Sequence, residues 1–547
     1  MAHGPVEALL GETFGIKLLT YLCAISVEEM ETRLDSGNAL VPQAEAVLAE
    51  LAAFAQIVAA QQTANPGLPA VVALQPLGQF DPASGTTVAN RLRLEAGGDL
   101  LEASMGGAAD DDLVKSLLFT MARDAYPMCL APSDVRFPMS LTSLYQHPAR
   151  AELDTAITED PALSRLFPED EVGLGHRGTV YTSLGRGSSI HTVLFGSTIV
   201  AAAWDAATMD SETPSLAELL AVVNTLVDVI REAAGGKQPG VRARLVFTGL
   251  VTANGATIET PWGPLRPLTE IERRAAPTQL EGTVSGTDPD GKSVTVSYAG
   301  ELVLETTLPY GVVVKPSAAM EVSAQAFPQV PGADALTHRI EAIQLSALLG
   351  VQRPVGSWAI ARLAWYWVAD PLFPGRMLSW ASVQSAPGFM PYELSASECE
   401  SLADWCRWIE ERRVPQVDIA VRRVLSAAHS RTTATDRLVD AVIAWENLFG
   451  TSEGEPRLRI TAAMAWLLGN DRSSRQAIQA TLKKLYDDRS KIVHGATFEE
   501  RAMNERGGEA LTFSLRSLEV LFRDRPDILA LRDGAERSLA LILGGSG

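Results

Sequence analysis

Near the end of the chain, Arg489, Ser490 and Lys491 stand in a row and His494 follows. A histidine with its reference pKa of about 6.5 gives or takes a proton at neutral pH, and an arginine fork holds a phosphate bidentately. Together they suit RNA cleavage without a metal. The 2′-hydroxyl attacks the adjacent phosphate while the imidazole moves protons and the guanidinium stabilises the developing charge. The motif offers no cluster of carboxylates of the kind that holds Mg²⁺. In a regular helix Ser490 and His494, four apart, share a face, whereas Arg489 and His494, five apart, diverge by about 140°. Arg489 and His494 therefore work together only at an irregular helix end, or in a cleft that another surface completes. The bland alternative is a helix C-terminus where His494 caps carbonyls and complements the dipole.

The elements that must position these side chains are helical. Leu482, Leu485 and Ile492 recur at helical spacing, and Gly495 supplies the usual stop. Upstream lie Ala441-Val442-Ile443-Ala444-Trp445-Glu446-Asn447-Leu448-Phe449-Gly450 and then residues 458 to 468. With these flanks, the R-x4-H string resembles the signature of HEPN domains, and RSKIVHG is most similar to the Apea-like branch. The resemblance covers residues 397–547. It implies an all-α bundle that dimerises with its motif helices face to face, and toxic RNA cleavage in phage defence or stress. It also implies catalytic roles for Arg489 and His494, with Ser490 and Lys491 in support. Family members often carry Asn, Asp or His after the Arg; here Ser490 stands there, as in the Apea-like branch. Glu446 matches an acidic position of the preceding helix and is expected to orient Arg489.

Length and composition bound the rest. At 547 residues the chain is too long for one ordinary core, and three or four domains are expected. Cys23, Cys129, Cys399 and Cys406 show no zinc spacing, and a reducing cytoplasm fits them. Residues 1–12 do not read as a secretory signal, and no uninterrupted apolar run is long enough for a span, so no membrane partner is expected. A net charge of −20 excludes a protein that coats nucleic acid by bulk electrostatics. The motif region is the exception. Residues 415–494 hold twelve Arg or Lys against nine Asp or Glu, a surplus of three, which leaves −23 for the remainder.

The pattern along the chain reads as a multidomain α+β protein. Residues 1–62 form an N-terminal helical unit, 63–326 a mixed α/β region with antiparallel strands, 334–396 a Trp-rich helical connector, and 397–547 the helical bundle. The first unit, with helices over 14–23 and 27–34 around Ala24-Ile25-Ser26, loosely resembles the helix-turn-helix of Xre-like regulators. Its second helix presents Glu28, Glu29 and Glu31 against Arg33 alone, a face that phosphates repel. Asp110-Asp111-Asp112 reads as a helix N-terminus rather than a metal cluster. Gly173-Leu174-Gly175-His176-Arg177-Gly178-Thr179-Val180 fits a nucleotide-loop string without its context, and turns among short strands over 179–184 and 190–195 account for it better.

Pro214 to Ala233 is an amphipathic helix, residues 241–251 a strand, and 282–324 alternating β structure. Helices over 397–413, 417–429, 433–449, 456–468, 472–494 and 527–543 build the bundle. Trp365, Tyr366 and Trp367 fit core packing better than base stacking. The leading expectation is a cytoplasmic endoribonuclease without cofactor or metal, homodimeric or larger, acting on RNA and governed by its N-terminal regions or a protein trigger. The rivals are a regulator whose bundle dimerises or binds a nucleotide without catalysis, and a structural interaction protein.

Overall fold

The computed structural model describes residues 5–64, 70–131, 144–167, 178–184, 186–274, 284–287, 293–296, 302–316, 330–351, 361–378, 392–431, 433–451 and 455–544. Among the described residues helices predominate, and the sheets are antiparallel apart from one short parallel pair, Tyr392–Leu394 with Leu250–Thr252. Two cores are distinguishable. One runs continuously from Leu10 to Cys406, the other from Ala342 to Leu541. The helices Pro331–Gly350 and Ala396–Arg412 feed both, with Ile343 and Cys406 in the first and Leu345 and Trp405 in the second.

At the N-terminus, Pro5–Cys23 and Val27–Ser36 form a helix, tight turn, helix pair. Ser26 and Glu29 close a capping box, so Glu29 is spent on the helix end. Arg33 binds Glu45 at 2.9 Å and Glu7 at 3.1 Å. The core of this pair is continuous with the region that follows, through Leu18, Leu22, Leu92 and Tyr126. Asp112 caps Leu113–Ala125 through the Lys115 amide and also binds Arg231, while Asp110 accepts from the amides of Met105 and Gly106. Among the described residues, two helices have the length and apolarity of a span. Thr192–Asp210 is a core helix, with 78% of its apolar window buried; Pro42–Gln61 is 33% buried there and packs Val47, Leu48 and Leu51 inward.

A six-stranded sheet carries the middle region, in the order Arg376–Leu378, Arg362–Val368, Gly240–Thr248, Leu302–Pro309, Gly263–Pro267, Ile258–Thr260. Its presence corrects the expected helical connector over 334–396: among the described residues there, Pro331–Gly350 is helical, but Arg362–Val368, Arg376–Leu378 and Tyr392–Leu394 are strands. Trp365 and Trp367, two apart on a strand and so on one face, enter the core, and Trp367 donates to Asp205. The expected strand over 190–195 also ends early, because Thr192–Asp210 is already helical. The glycines of 173–177 lie outside the described residues; Gly178–Ser183 is a strand paired with Arg186–His191. Leu216–Ala234 is the anticipated amphipathic helix, entered by a Ser215–Glu218 capping box.

The C-terminal core is a helical bundle around Ala434–Phe449, whose Leu438, Val442, Trp445 and Phe449 are fully buried. It packs most extensively on Glu500–Arg523, a helix absent from the expected set. Gly507 is required there, because a Cβ would stand 2.8 Å from the Ala434 carbonyl oxygen. The expected helix over 527–543 is two, Pro526–Leu529 and Gly534–Leu543, with Asp533 capping the second.

Candidate functional site

The motif helix, Arg472–Val493, opens with Asp471 and Ser474 exchanging hydrogen bonds and inserts Leu482, Leu485 and Asp488 toward the bundle. It closes as a Schellman turn. The Ala496 amide donates to the Lys491 carbonyl and the Gly495 amide to that of Ile492, both at 2.9 Å, with Gly495 at φ +88°. The backbone thus satisfies the carbonyls that a capping histidine would have served. His494 occupies the C-cap position with its side chain exposed, and among the described residues no group bonds its imidazole.

Arg489 lies on the inner flank of the same helix. Its Nη2 donates to Glu446 Oε2 at 3.2 Å, and Tyr486 donates its hydroxyl to Glu446 Oε1 at 2.8 Å. One carboxylate on Ala434–Phe449 therefore holds two motif-helix side chains. Arg489 and Glu446 are 24% and 29% exposed, so the pair is partly shielded yet reachable. The Arg489 Nε is buried without a hydrogen-bond partner. Tyr486 is pushed up to about 12, first by burial and then by its bond to Glu446.

The structure brings Glu446 to Arg489 as expected and adds Tyr486, whose part is not visible in the R-x4-H string. It does not bring His494 to Arg489: no hydrogen bond joins them, in keeping with their divergence on the helix. Ser490 is half-buried, and the exposed Lys491 reaches Asp488 at 3.5 Å. Asp488 is 3% exposed on a position where the periodicity favours an apolar residue, and Arg506 meets it at 2.8 Å. That polar residue in the apolar stripe was the available signal for a buried ion contact. Among the described residues, no three His, Cys, Asp or Glu side chains gather as a metal site.

A groove of about 370 Å³ opens between Pro456–Leu468 and the first half of the motif helix, lined by Ala462, Ala465, Trp466, Arg472, Arg475, Gln476 and Gln479. Comparison with protein-family models, with curated proteins and with solved structures gives no match to this chain.

Proposed function

We propose that the chain is a HEPN-type endoribonuclease that cleaves RNA without a metal, a toxic effector in phage defence or stress whose C-terminal bundle is governed by the regions before it. The observation that carries this reading is the division of labour on one helix: a guanidinium tethered by Glu446 on the inner flank, and an imidazole left uncommitted at a helix end that the backbone has already closed. In the proposed reaction His494 moves the protons of the 2′-hydroxyl and the leaving 5′-oxygen, and Arg489 holds the phosphate as charge accumulates on it.

The divergence of Arg489 and His494 is resolved by a second copy that faces the first. Exposed Leu458, Val493, Leu539 and Leu543 on three neighbouring helices support self-association. Binding of duplex DNA by the N-terminal helix pair is disfavoured, because Arg33 is committed to Glu7 and Glu45. The test is cleavage in EDTA by the wild-type chain and by His494→Ala and Arg489→Lys. Both variants should lose about 10²-fold or more, since a proton carrier contributes that much and an ammonium lacks the bidentate geometry.

A further inference from the structure

The groove beside Trp466 has a chemistry that the cleavage motif does not use. Arg475 stacks its guanidinium 3.7 Å above the Trp466 ring centroid and donates Nε to the Gly469 carbonyl at 2.9 Å. Among the described residues, neither Arg475 nor Arg472 has a carboxylate within ion-pair distance, and the Gln476 and Gln479 amides have no hydrogen-bond partner. Paired arginines are common elsewhere in the chain, as with Arg33, Arg231, Arg266, Arg413 and Arg523. Nor is this a bare helix end, for its terminal amides are served by Asp471 and Ser474.

The helix extends the groove toward the motif. At 100° per residue, Arg472, Gln476, Gln479, Lys483, Ser490 and His494 fall within about 60° of one another on the helical wheel. Gln476 and His494 are separated by about 27 Å along the axis, from a rise of 1.5 Å per residue. The motif helix holds six Arg or Lys against two Asp, a surplus of four in a chain of net −20. Both aspartates are engaged, Asp487 by Arg457 at 2.7 Å and Asp488 by Arg506 and Lys491. On the shared face Lys483 stands between the groove and His494, so a strand that leaves the groove along this face passes one cation and Ser490 before it reaches the imidazole.

We infer that this groove is a second binding subsite for single-stranded RNA, which anchors the strand several nucleotides away from the cleaved bond. A base stacks on the Arg475 plane that Trp466 backs, the two glutamine amides read its edge, and Arg472 and Lys483 hold phosphates. A duplex does not fit this role, since its bases are not free to stack. The inference rests on the ribonuclease reading, which supplies the direction of the strand, but its test is separate.

The experiment measures fluorescence anisotropy of a fluorescein-labelled single-stranded oligoadenylate of about 12 nucleotides with full-length His494→Ala protein. Arg472→Glu/Gln479→Glu, which alters one exposed and one half-buried side chain, should weaken binding about tenfold or more. It should also make the log-log salt dependence shallower by about 0.7 per lost phosphate contact. Circular dichroism confirms that the variant is folded; Arg472→Gln alone serves as the milder arm, with a smaller loss in the same direction. Equal affinity of parent and variant, equal affinity for a duplex RNA of the same length, saturation by AMP alone, or no binding of the oligonucleotide would each overturn the inference. If the wild-type chain cleaves RNA with a KM that Arg472→Glu/Gln479→Glu leaves unchanged, the subsite is wrong and the nuclease reading stands. Groove-dependent binding by a chain that never cleaves would instead uphold the subsite and refute the nuclease.

Discussion

Replacing Glu446 by Ala releases two side chains of the motif helix at once, and their shares are unequal. The Tyr486 hydroxyl donates to a carboxylate at 2.8 Å, a charge-assisted bond that contributes about 1.5–3 kcal/mol. The Arg489 contact is single, 3.2 Å long and about a quarter exposed, and is worth under about 1 kcal/mol after screening. The total loss should be roughly 2–4 kcal/mol, confined to the bundle. Native-state hydrogen exchange at the motif-helix amides reads this local stability without requiring the two cores to unfold together. In double-mutant cycles, Glu446→Ala with Tyr486→Phe should give a coupling of about 1–2 kcal/mol, and Glu446→Ala with Arg489→Ala under about 1 kcal/mol. RNA cleavage should slow up to about 10²-fold, because Arg489 is no longer held in place. A Tyr486 coupling within about 0.3 kcal/mol of zero would mean that the carboxylate does not organise the helix, and the role given to Glu446 would fall.

Three other outcomes follow from the fold. The protein should self-associate through the bundle; light scattering should give a dimer or larger, and a monomer at micromolar concentration that still cleaves RNA would contradict this. The full-length chain should show no nanomolar, salt-sensitive binding to duplex DNA, because Glu7 and Glu45 hold Arg33 while Glu28 and Glu31 stay exposed; such binding in a gel-shift titration would make the N-terminal pair a DNA reader after all. The third concerns acid. Burial pushes the Asp124 carboxyl up, but the His147 and Arg123 bonds outweigh it and hold it below the usual range. A carboxyl lowered on folding stabilises the native state above its unfolded pKa of about 3.9 and ceases to do so as pH falls through the folded value. Stability should therefore decline below about pH 4, and Asp124→Asn should flatten part of that slope; an unchanged slope would contradict the assignment.

Local signals carried much of the structure. Ser26 with Glu29, Ser215 with Glu218 and Asp112 mark helix starts by type and spacing, and all three helices begin there. Gly495 marks the end of the motif helix, and Glu446 was legible as the partner of Arg489. What was not legible depends on partners distant in the chain. Trp365 and Trp367 look helical among bulky neighbours, but Arg362–Val368 pairs with Gly240–Thr248, more than a hundred positions earlier. Glu500–Arg523 was hidden by Gly507-Gly508, a helix breaker by propensity, of which Gly507 here admits the Ala434 backbone. The Trp466 groove arises only when two helices lie side by side, so no single stretch announces it.

Whether the bundle is a metal-independent ribonuclease is decided by RNA cleavage with the purified chain in EDTA, with the new ends identified chemically. The expected products carry 2′,3′-cyclic phosphate or 3′-phosphate ends, with losses of about 10²–10⁴-fold in His494→Ala and with Arg489→Lys also failing. Activity that persists in His494→Ala, or that vanishes in EDTA and returns with Mg²⁺, would show that Arg489 and His494 do not perform this chemistry.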